Sequence, residues 1–132
     1  MNKPLFKVNV SAVVKKDDTF LLIKRADDET VFPGYWGIPG GTVEYGDGNL
    51  EAALSREFME EVGIEIEPVR LIANNTVVKP EKAMLYLVFE ARHIAGDPKP
   101  LEDTQVVEWL TYDQAATLQL TPQTLEMLAL CR

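Results

Sequence analysis

The sequence predicts an α/β fold in which helices cover a mixed β-sheet. Three observations predict it: apolar residues alternate near the start of the chain, one amphipathic helix lies in the middle, and β-rich runs follow before a helical end. The chain has 132 residues, of which 46% are hydrophobic and 26% are charged. That length and composition are typical of a single globular domain, residues 1–132, with a buried core.

The first forty residues predict two strands and a loop. Apolar and polar residues alternate over 6–12, which is typical of a half-buried strand. Residues 20–23 are a short apolar run and predict a buried strand. Residues 26–34 are polar and contain proline and glycine, so we expect a loop there. A brief apolar run at 35–38 then ends at a Pro-Gly-Gly sequence, residues 39–41.

The clearest helix is predicted over 50–62, where apolar residues recur at helical spacing. Asn49 suits the N-cap position, and Glu51 suits the first turn because the helix dipole is positive there. Gly63 falls where a left-handed C-cap residue belongs. The helix should therefore begin after Asn49 and end before Gly63.

The rest of the chain predicts three more strands and two helical pieces. β-rich runs cover 69–78, 84–91 and 106–110, and prolines and glycines separate them. The segment from Thr111 onward is helical in pattern and is interrupted near Pro122. Strands on both sides of one central helix favour a mixed sheet with helices packed on it.

The charge of the chain restricts its partners. With 21 acidic and 13 basic residues, the formal net charge is −8, and the lysines and arginines form no cluster. Such a chain repels nucleic-acid polymers and anionic membranes, so neither is expected as a partner. A substrate that carries phosphates would then need a bound cation to bridge it to the protein.

Three further features favour a cytoplasmic protein. No apolar run approaches the roughly 20 residues that span a bilayer. Residues 1–4 lack the charged-then-apolar pattern of an export signal. The single cysteine, Cys131, excludes an internal disulfide framework and a multi-cysteine zinc site.

The predicted central helix carries a set of acids that repel one another. Glu57 lies three and four residues before Glu60 and Glu61, so the three carboxylates converge on one face. Each like-charged pair costs roughly 0.2–0.5 kcal/mol, and acids in the last turn oppose the helix dipole by about 0.3–1 kcal/mol each. Mg²⁺ or Mn²⁺ would reverse both penalties, because hard cations bind carboxylate oxygens. A solvated acidic face is the alternative, although the helix offers only Arg56 to neutralise it.

Two glycines precede this helix. Gly40 and Gly41 follow Pro39, and glycine permits a close approach between the backbone and a ligand. A main-chain carbonyl of this loop is therefore a candidate metal ligand, and Gly41 is a candidate substrate contact. A plain turn is the alternative, since Gly-Gly pairs are common in turns.

These acids and glycines together resemble the box of the Nudix hydrolase family. Residues 56–64, Arg-Glu-Phe-Met-Glu-Glu-Val-Gly-Ile, match the second half of that box in full. Residues 41–47 correspond to its first half, with two departures. Asp47 stands where the family has glutamate, and eight residues rather than seven separate Asp47 from Arg56. The extra residue falls at 48–49, in a loop where an insertion is tolerated.

The resemblance covers nearly the whole chain. Residues 21–25 resemble the strand that ends in a basic residue before the box, residues 36–41 resemble its lead-in, and residues 106–110 resemble the late strand before the closing helices. The resemblance implies an α/β/α sandwich around a mixed sheet. It also implies metal-dependent attack of water on a phosphorus atom of a nucleoside diphosphate linked to another group.

The box carries the family's site residues onto this chain. The resemblance implies that Glu57, Glu60 and Glu61 bind Mg²⁺ or Mn²⁺, and that the main-chain oxygen of Gly40 is a further ligand. It implies that Arg56 orients Glu57 through an ion pair. Arg56, Glu57 and Glu60 are therefore the expected catalytic residues.

The general base stays open at this point. In the family it is either a box glutamate or an acid of a distal loop, so the candidates are Glu57, Glu102 and Asp103. Glu102 is also a candidate metal ligand. A plain surface position is the alternative for Glu102.

Candidate substrate contacts lie before the box. Arg25 ends a predicted strand and is expected to contact a phosphate, with an ion pair to Asp27 or capping of the sheet edge as the alternative. Phe32, Tyr35 and Trp36 are candidates to stack on a base, and Tyr35 is the foremost. Packing in the core is the alternative for these aromatic residues.

Residues 31–36 resemble the lead-in of Nudix members that split nucleoside triphosphates into monophosphate and pyrophosphate, and this is the expected activity. Nucleoside diphosphate sugars and dinucleotides, such as ADP-ribose or diadenosine polyphosphates, are alternative substrates. A nucleotide-binding module without catalysis is the alternative of a different class. The expected partner is a small-molecule nucleotide. Members of the family are often dimers, so a homodimer is a further expectation, although no segment of the sequence marks an interface.

Overall fold

The computed structural model describes residues 3–132 and divides them into seven strands and three helices. In chain order these are β1 (Phe6–Lys16), β2 (Thr19–Arg25), β3 (Trp36–Gly37), β4 (Gly40–Thr42), α1 (Leu50–Val62), β5 (Glu65–Lys79), β6 (Lys82–Ala95), β7 (Thr104–Thr111), α2 (Tyr112–Ala115) and α3 (Thr124–Leu130). The predicted order of elements is confirmed. None of the helices within residues 3–132 is long and apolar enough to cross a lipid bilayer.

The sheet is mixed, as predicted. Its main path runs β3-β2-β1-β6-β5, with β4 paired to β1 and β7 paired to β2. β1 and β6 are parallel, and the other pairs are antiparallel. β1 pairs with β2 only at Lys15 and Lys16, and its residues Asn9–Ser11 pair with β4 instead. The short strands β3 and β4 therefore lie where β1 and β2 diverge.

Helices cover both faces of the sheet. Along β2, Leu21 and Ile23 pack with Leu54 and Phe58 of α1. The alternate residues of β2 point to the opposite face, where they meet α2 and α3 through Ala115 and Leu128. This period of two is that of a strand buried on both sides. The predicted α/β/α sandwich is confirmed.

Both ends of α1 are closed as the sequence predicts. The Asn49 side chain accepts a hydrogen bond from the Ala52 N–H at 2.8 Å. Gly63 is left-handed, with φ 72°, and its N–H donates to the carbonyls of Phe58 and Met59. These caps fix where α1 begins and ends, and so fix which of its residues face the sheet.

The alternative of a plain turn at Gly40 and Gly41 and the predicted start of β5 were both wrong. Gly40 and Gly41 belong to a strand rather than a plain turn, because the free edge of β1 pairs with them. β5 begins at Glu65, directly after the helix cap, and not at residue 69. It can do so because β6 extends to Ala95 and pairs with this extra length, while register shifts near Pro68 absorb the missing N–H.

Candidate functional site

The acids of α1 differ in how deeply they lie. Glu57 is buried, with 8% of its surface exposed, and it shares its side of the helix with the half-buried Glu61. Glu60 is exposed and its carboxylate accepts a hydrogen bond from Arg56 at 3.0 Å. The predicted acidic face therefore consists of Glu57 and Glu61 at its centre and Glu60 at its rim.

The β4 strand lies directly against the two central carboxylates. A Cβ atom on Gly41 would stand 2.1 Å from Oε2 of Glu57, so only glycine leaves room for that carboxylate. The backbone N–H of Gly40 points its positive end towards the Glu61 carboxylate closely enough to lower the pKa of Glu61. A Cβ on Gly40 would stand 2.3 Å from the carbonyl oxygen of Val10. Gly40 is thus needed for packing against β1, and Gly41 for the position of Glu57.

The loop before β7 is attached to the end of α1. The Lys99 N–H donates to the Val62 carbonyl at 2.9 Å, and the Leu101 N–H donates to the Glu61 carbonyl at 3.0 Å. Both carbonyls are among the last four of the helix, which have no partner inside it. Glu102 follows at once in a left-handed conformation, with φ 52°. Its charge then lies close enough to raise the pKa of Glu57 and of Glu61.

The two distal-loop acids are thus separated by the structure. The charge of Glu102 acts on the carboxylates of Glu57 and Glu61, although its side chain is exposed to solvent. The Asp103 carboxylate is also exposed and makes no hydrogen bond or ion pair with the described residues. The geometry favours Glu102 over Asp103 as a member of the site.

Arg25 reaches the same region from the end of β2. Its Nε donates to the Val31 carbonyl at 2.9 Å, and its Nη2 donates to Oε2 of Glu29 at 3.3 Å. The alternative ion pair with Asp27 is wrong. The positive charge of Arg25 is near enough to act on Glu61 and to lower its pKa, against the larger effect of burial.

Arg56 holds together the rim of the site. Its Nε and Nη2 donate to the two oxygens of Asp47 at 2.7 and 2.9 Å. Its Nη1 lies 3.0 Å from Oε2 of Glu60 and 3.1 Å from Oε1 of Glu57, which is the predicted ion pair. Its Nη2 also donates to the Thr42 carbonyl of β4 at 3.1 Å. One guanidinium thus ties the box loop and β4 to the acidic face of α1.

Asp47 is a working member of this network despite the shorter side chain. Its Oδ2 also accepts a hydrogen bond from the Glu44 N–H at 2.7 Å. The hydrogen bonds from Arg56, followed by that from Glu44, lower the pKa of Asp47 to about 2. Gly48, with φ 87°, bends the chain directly after it. Aspartate is one methylene shorter than the glutamate of the family, and this loop is one residue longer. Both oxygens of Asp47 still accept hydrogen bonds from Arg56.

The central carboxylates resist ionisation. Burial raises the pKa of Glu61 to about 8, and the neighbouring charge of Glu57 adds to this, against the Gly40 N–H and Arg25. Burial is also the main reason that the pKa of Glu57 is raised, against the opposing effect of Arg56. Carboxylates that are desolvated and repel one another are a donor set of the kind that hard cations bind. Within residues 3–132, no three acidic, histidine or cysteine side chains are already close enough to enclose a metal ion.

The raised pKa of Glu61 predicts an unusual effect of pH on stability. A carboxyl whose folded pKa lies above its ordinary 4.5 disfavours folding once it ionises. We expect the melting temperature of the metal-free protein to fall as pH rises from about 5 to about 8. Glu61→Gln should reduce this fall, to which Glu57 also contributes, and raise the melting temperature at pH 8 by about 5 °C.

The measurement is calorimetry in a chelating buffer across that pH range. Glu65→Gln, an exposed acid just beyond the helix cap, is the matched control and should leave the fall unchanged. If Glu61→Gln melts with the same pH dependence as the parent, then Glu61 is not the buried acid described above.

Sequence reasoning missed the main-chain members of the site. The Thr42 carbonyl, the Val31 carbonyl and the N–H groups of Lys99 and Leu101 all hold functional side chains in place. The only available signal was position, since each lies next to a motif or a proline. Tyr35, the foremost candidate for stacking on a base, is half-exposed, and its carbonyl accepts a hydrogen bond from the Arg25 N–H at 2.9 Å.

Comparison with known proteins agrees with this architecture. The family model of the NUDIX domain matches residues 5–131. Nucleoside triphosphatase NudI of Escherichia coli O81 (strain ED1a) is 34% identical over 132 residues, which cover 92% of this chain and 93% of that protein. The protein of the same name from Enterobacter sp. (strain 638) is 31% identical, covering 87% of this chain and 89% of that one.

A solved structure gives the same result. The crystal structure of the MutT NUDIX hydrolase from Burkholderia pseudomallei superposes with a TM-score of 0.81 and 28% identity, covering 96% of this chain and 98% of that one. The family match spans the complete box, β4 and the loop that carries Glu102. With the sheet order, the helix layers and the box residues in place, this chain belongs to the Nudix hydrolase family.

Proposed function

We propose that this enzyme hydrolyses nucleoside triphosphates to a nucleoside monophosphate and pyrophosphate, with Mg²⁺ or Mn²⁺ as its cofactor. The observation that carries the proposal is the desolvated pair Glu57 and Glu61, pressed against a glycine strand and faced by Glu102. The printed name of the relatives in Escherichia coli and Enterobacter, nucleoside triphosphatase, supports the choice of substrate.

The metal-binding residues in this proposal are carboxylates and one main-chain oxygen: Glu57, Glu60, Glu61, Glu102 and the carbonyl of Gly40. Their raised pKa values and mutual repulsion fit a divalent cation, which would stabilise their ionised forms. When bound, such a cation neutralises phosphate charge and lowers the pKa of the attacking water.

The chain's own residues supply position and charge. Arg25 ends β2, its charge acts on Glu61, and it binds a phosphate oxygen of the substrate. Arg56 orients Glu57 through the ion pair at 3.1 Å. Gly41 lets the substrate and the Glu57 carboxylate share a space in which a side chain would not fit. These contacts suit phosphoryl chemistry, which depends mainly on positioning and charge stabilisation.

The reaction moves one proton. The oxygen of water forms a bond to phosphorus, and the bond from that phosphorus to the bridging oxygen of the leaving pyrophosphate breaks. A carboxylate oxygen of Glu57 or of Glu102 accepts the proton that the water loses. Glu57 is buried beside β4, whereas Glu102 is on the solvent side, so glutamine variants of each distinguish the two candidates.

A panel of nucleotides tests this function. We expect Mg²⁺-dependent release of pyrophosphate from at least one nucleoside triphosphate, measured by phosphorus NMR, and weaker turnover of nucleoside diphosphate sugars, ADP-ribose and diadenosine polyphosphates. Glu60→Gln should lower turnover at least about 100-fold and leave the fold intact. Glu51→Gln, an exposed acid in the first turn of the same helix, is the control and should retain parent activity.

Each other outcome rejects part of the proposal. Faster turnover of a sugar or dinucleotide substrate would replace the triphosphate assignment. Nucleotide binding without any turnover would show that the chain is a binding module. A Glu60→Gln variant as fast as the parent would remove Glu60 from the metal site.

A further inference from the structure

We propose that Phe32 and Tyr35 form an aromatic platform on which the nucleobase of the substrate stacks, next to the phosphate-binding end of Arg25. This inference rests on the proposed function, because it assumes a substrate that carries a base. The two rings contact one another with centroids 5.4 Å apart and planes inclined by 52°. They lie in the loop between β2 and β3 and at its end.

The Phe32 ring is exposed but held. Phe32 is 40% accessible to solvent, and its backbone has φ 47°, a conformation that costs free energy in a residue with a bulky side chain. The Tyr35 N–H donates to the Phe32 carbonyl at 3.2 Å, and the Gly34 N–H donates to the Ala26 carbonyl at 3.3 Å. The hydrogen bonds within the loop therefore hold the Phe32 ring in a solvent-exposed position.

Arg25 couples this loop to the acidic site. Its backbone N–H donates to the Tyr35 carbonyl, which continues the β2–β3 ladder by one pair beyond Lys24 and Trp36. In an antiparallel ladder, opposite residues share a face, so Tyr35 is placed on the side of Arg25. The Arg25 side chain binds the Val31 carbonyl, immediately before Phe32. Acid cluster, guanidinium and rings thus follow one another along one side of the sheet.

Trp36 is excluded from the platform by the same register. It lies opposite Lys24 and packs in the core under α2 and α3, with Phe20 and Leu22. The three aromatic residues of this segment therefore separate into one core residue and two that face the site. A nucleotide with its phosphates at Arg25 would place its base towards the two rings.

The effect of such a platform is expected on binding more than on chemistry. Stacking of a base on an aromatic side chain changes affinity by about 5- to 100-fold. Phe32→Ala should raise KM for the nucleoside triphosphate about tenfold and leave kcat within about threefold. It should weaken binding of the nucleoside monophosphate to the same extent, yet leave binding of ribose 5-phosphate, which has no base, within about twofold.

Calorimetric titration and steady-state kinetics measure these effects. Phe32→Tyr keeps an aromatic ring and should behave as the parent. Thr30→Ala removes another exposed side chain of the same loop, outside the Phe32–Tyr35 pair, so it controls for a general effect of the loop. The melting temperature of each variant should stay within a few degrees of the parent value.

Three results would overturn the inference. Equal losses for the monophosphate and ribose 5-phosphate would mean that the loop only positions Arg25. Unchanged affinity would mean that the ring does not touch the base, and a change in oligomeric state on size-exclusion chromatography would mean that it contacts a second copy. A parent that binds monophosphate through Phe32 but hydrolyses no nucleotide would refute the proposed function and leave the platform standing.

Discussion

Gly41→Ala is expected to fold normally and to lose at least about 100-fold in turnover. The added Cβ would stand 2.1 Å from Oε2 of Glu57 and 2.3 Å from its carboxyl carbon, so that carboxylate must move. The group that moves is the end of a flexible side chain, and the backbone of Gly41 has no left-handed conformation that alanine would strain. The fold therefore tolerates the change. The chemistry does not, because a displacement of about 1 Å can cost 10²-fold in rate.

Two neighbouring glycines provide matched controls. Gly46→Ala meets no atom within 4 Å, so it should keep both stability and turnover. In Gly40→Ala, the added Cβ would stand 2.3 Å from the Val10 carbonyl oxygen. This is a backbone atom that cannot move away, so the variant should have a much lower melting temperature. Calorimetry and turnover with Mg²⁺ separate the three variants. A Gly41→Ala enzyme with parent turnover would show that the Glu57 carboxylate is not held where catalysis needs it.

The parts of the fold that could be predicted are those with a local signal. The spacing of apolar residues predicts which face of α1 packs on the sheet. Asn49 and Gly63 set the ends of the helix through hydrogen bonds to residues at most five positions away. The alternation in β1 identifies a strand in the same way. β4 has no such signal, because Gly-Gly-Thr owes its strand conformation to the free edge of β1. The strand conformation of β4 is decided by a partner strand distant in sequence, and local strand propensity carries no information about such a partner.

The same distinction applies to the site. The spacing of Glu57 and Glu61 on one helix is sufficient to predict that they share a side, and the structure places them so. The Glu60 side chain is directed towards Arg56, and this depends on its rotamer, which the sequence does not determine. The attachment of the Glu102 loop depends on main-chain N–H groups, which every residue but proline carries. The only sign of such contacts in the sequence is their position beside a motif or a proline.

Arg56→Met is expected to lower both stability and turnover. The side chain now neutralises Asp47, Glu57 and Glu60, and its removal leaves those carboxylates to repel one another. Only 7% of the Asp47 side chain is exposed, so water cannot replace the lost hydrogen bonds fully. We expect the melting temperature at pH 7 and low salt to fall by about 5–10 °C. Turnover should fall because Glu57 loses the partner that orients it.

The pH dependence identifies the cause of that loss. In the parent, the pKa of Asp47 is depressed to about 2 by Arg56, so its contribution is complete above its ordinary value of 3.8 and disappears as pH falls through about 2. The gap between parent and Arg56→Met should therefore be widest above pH 4 and should shrink towards pH 2, in melting curves followed by circular dichroism. Arg70→Met, which breaks the more exposed pair with Glu90, should cost little at any pH. A gap that stays constant down to pH 2, or that matches the Arg70 variant, would mean that packing and not charge makes Arg56 important.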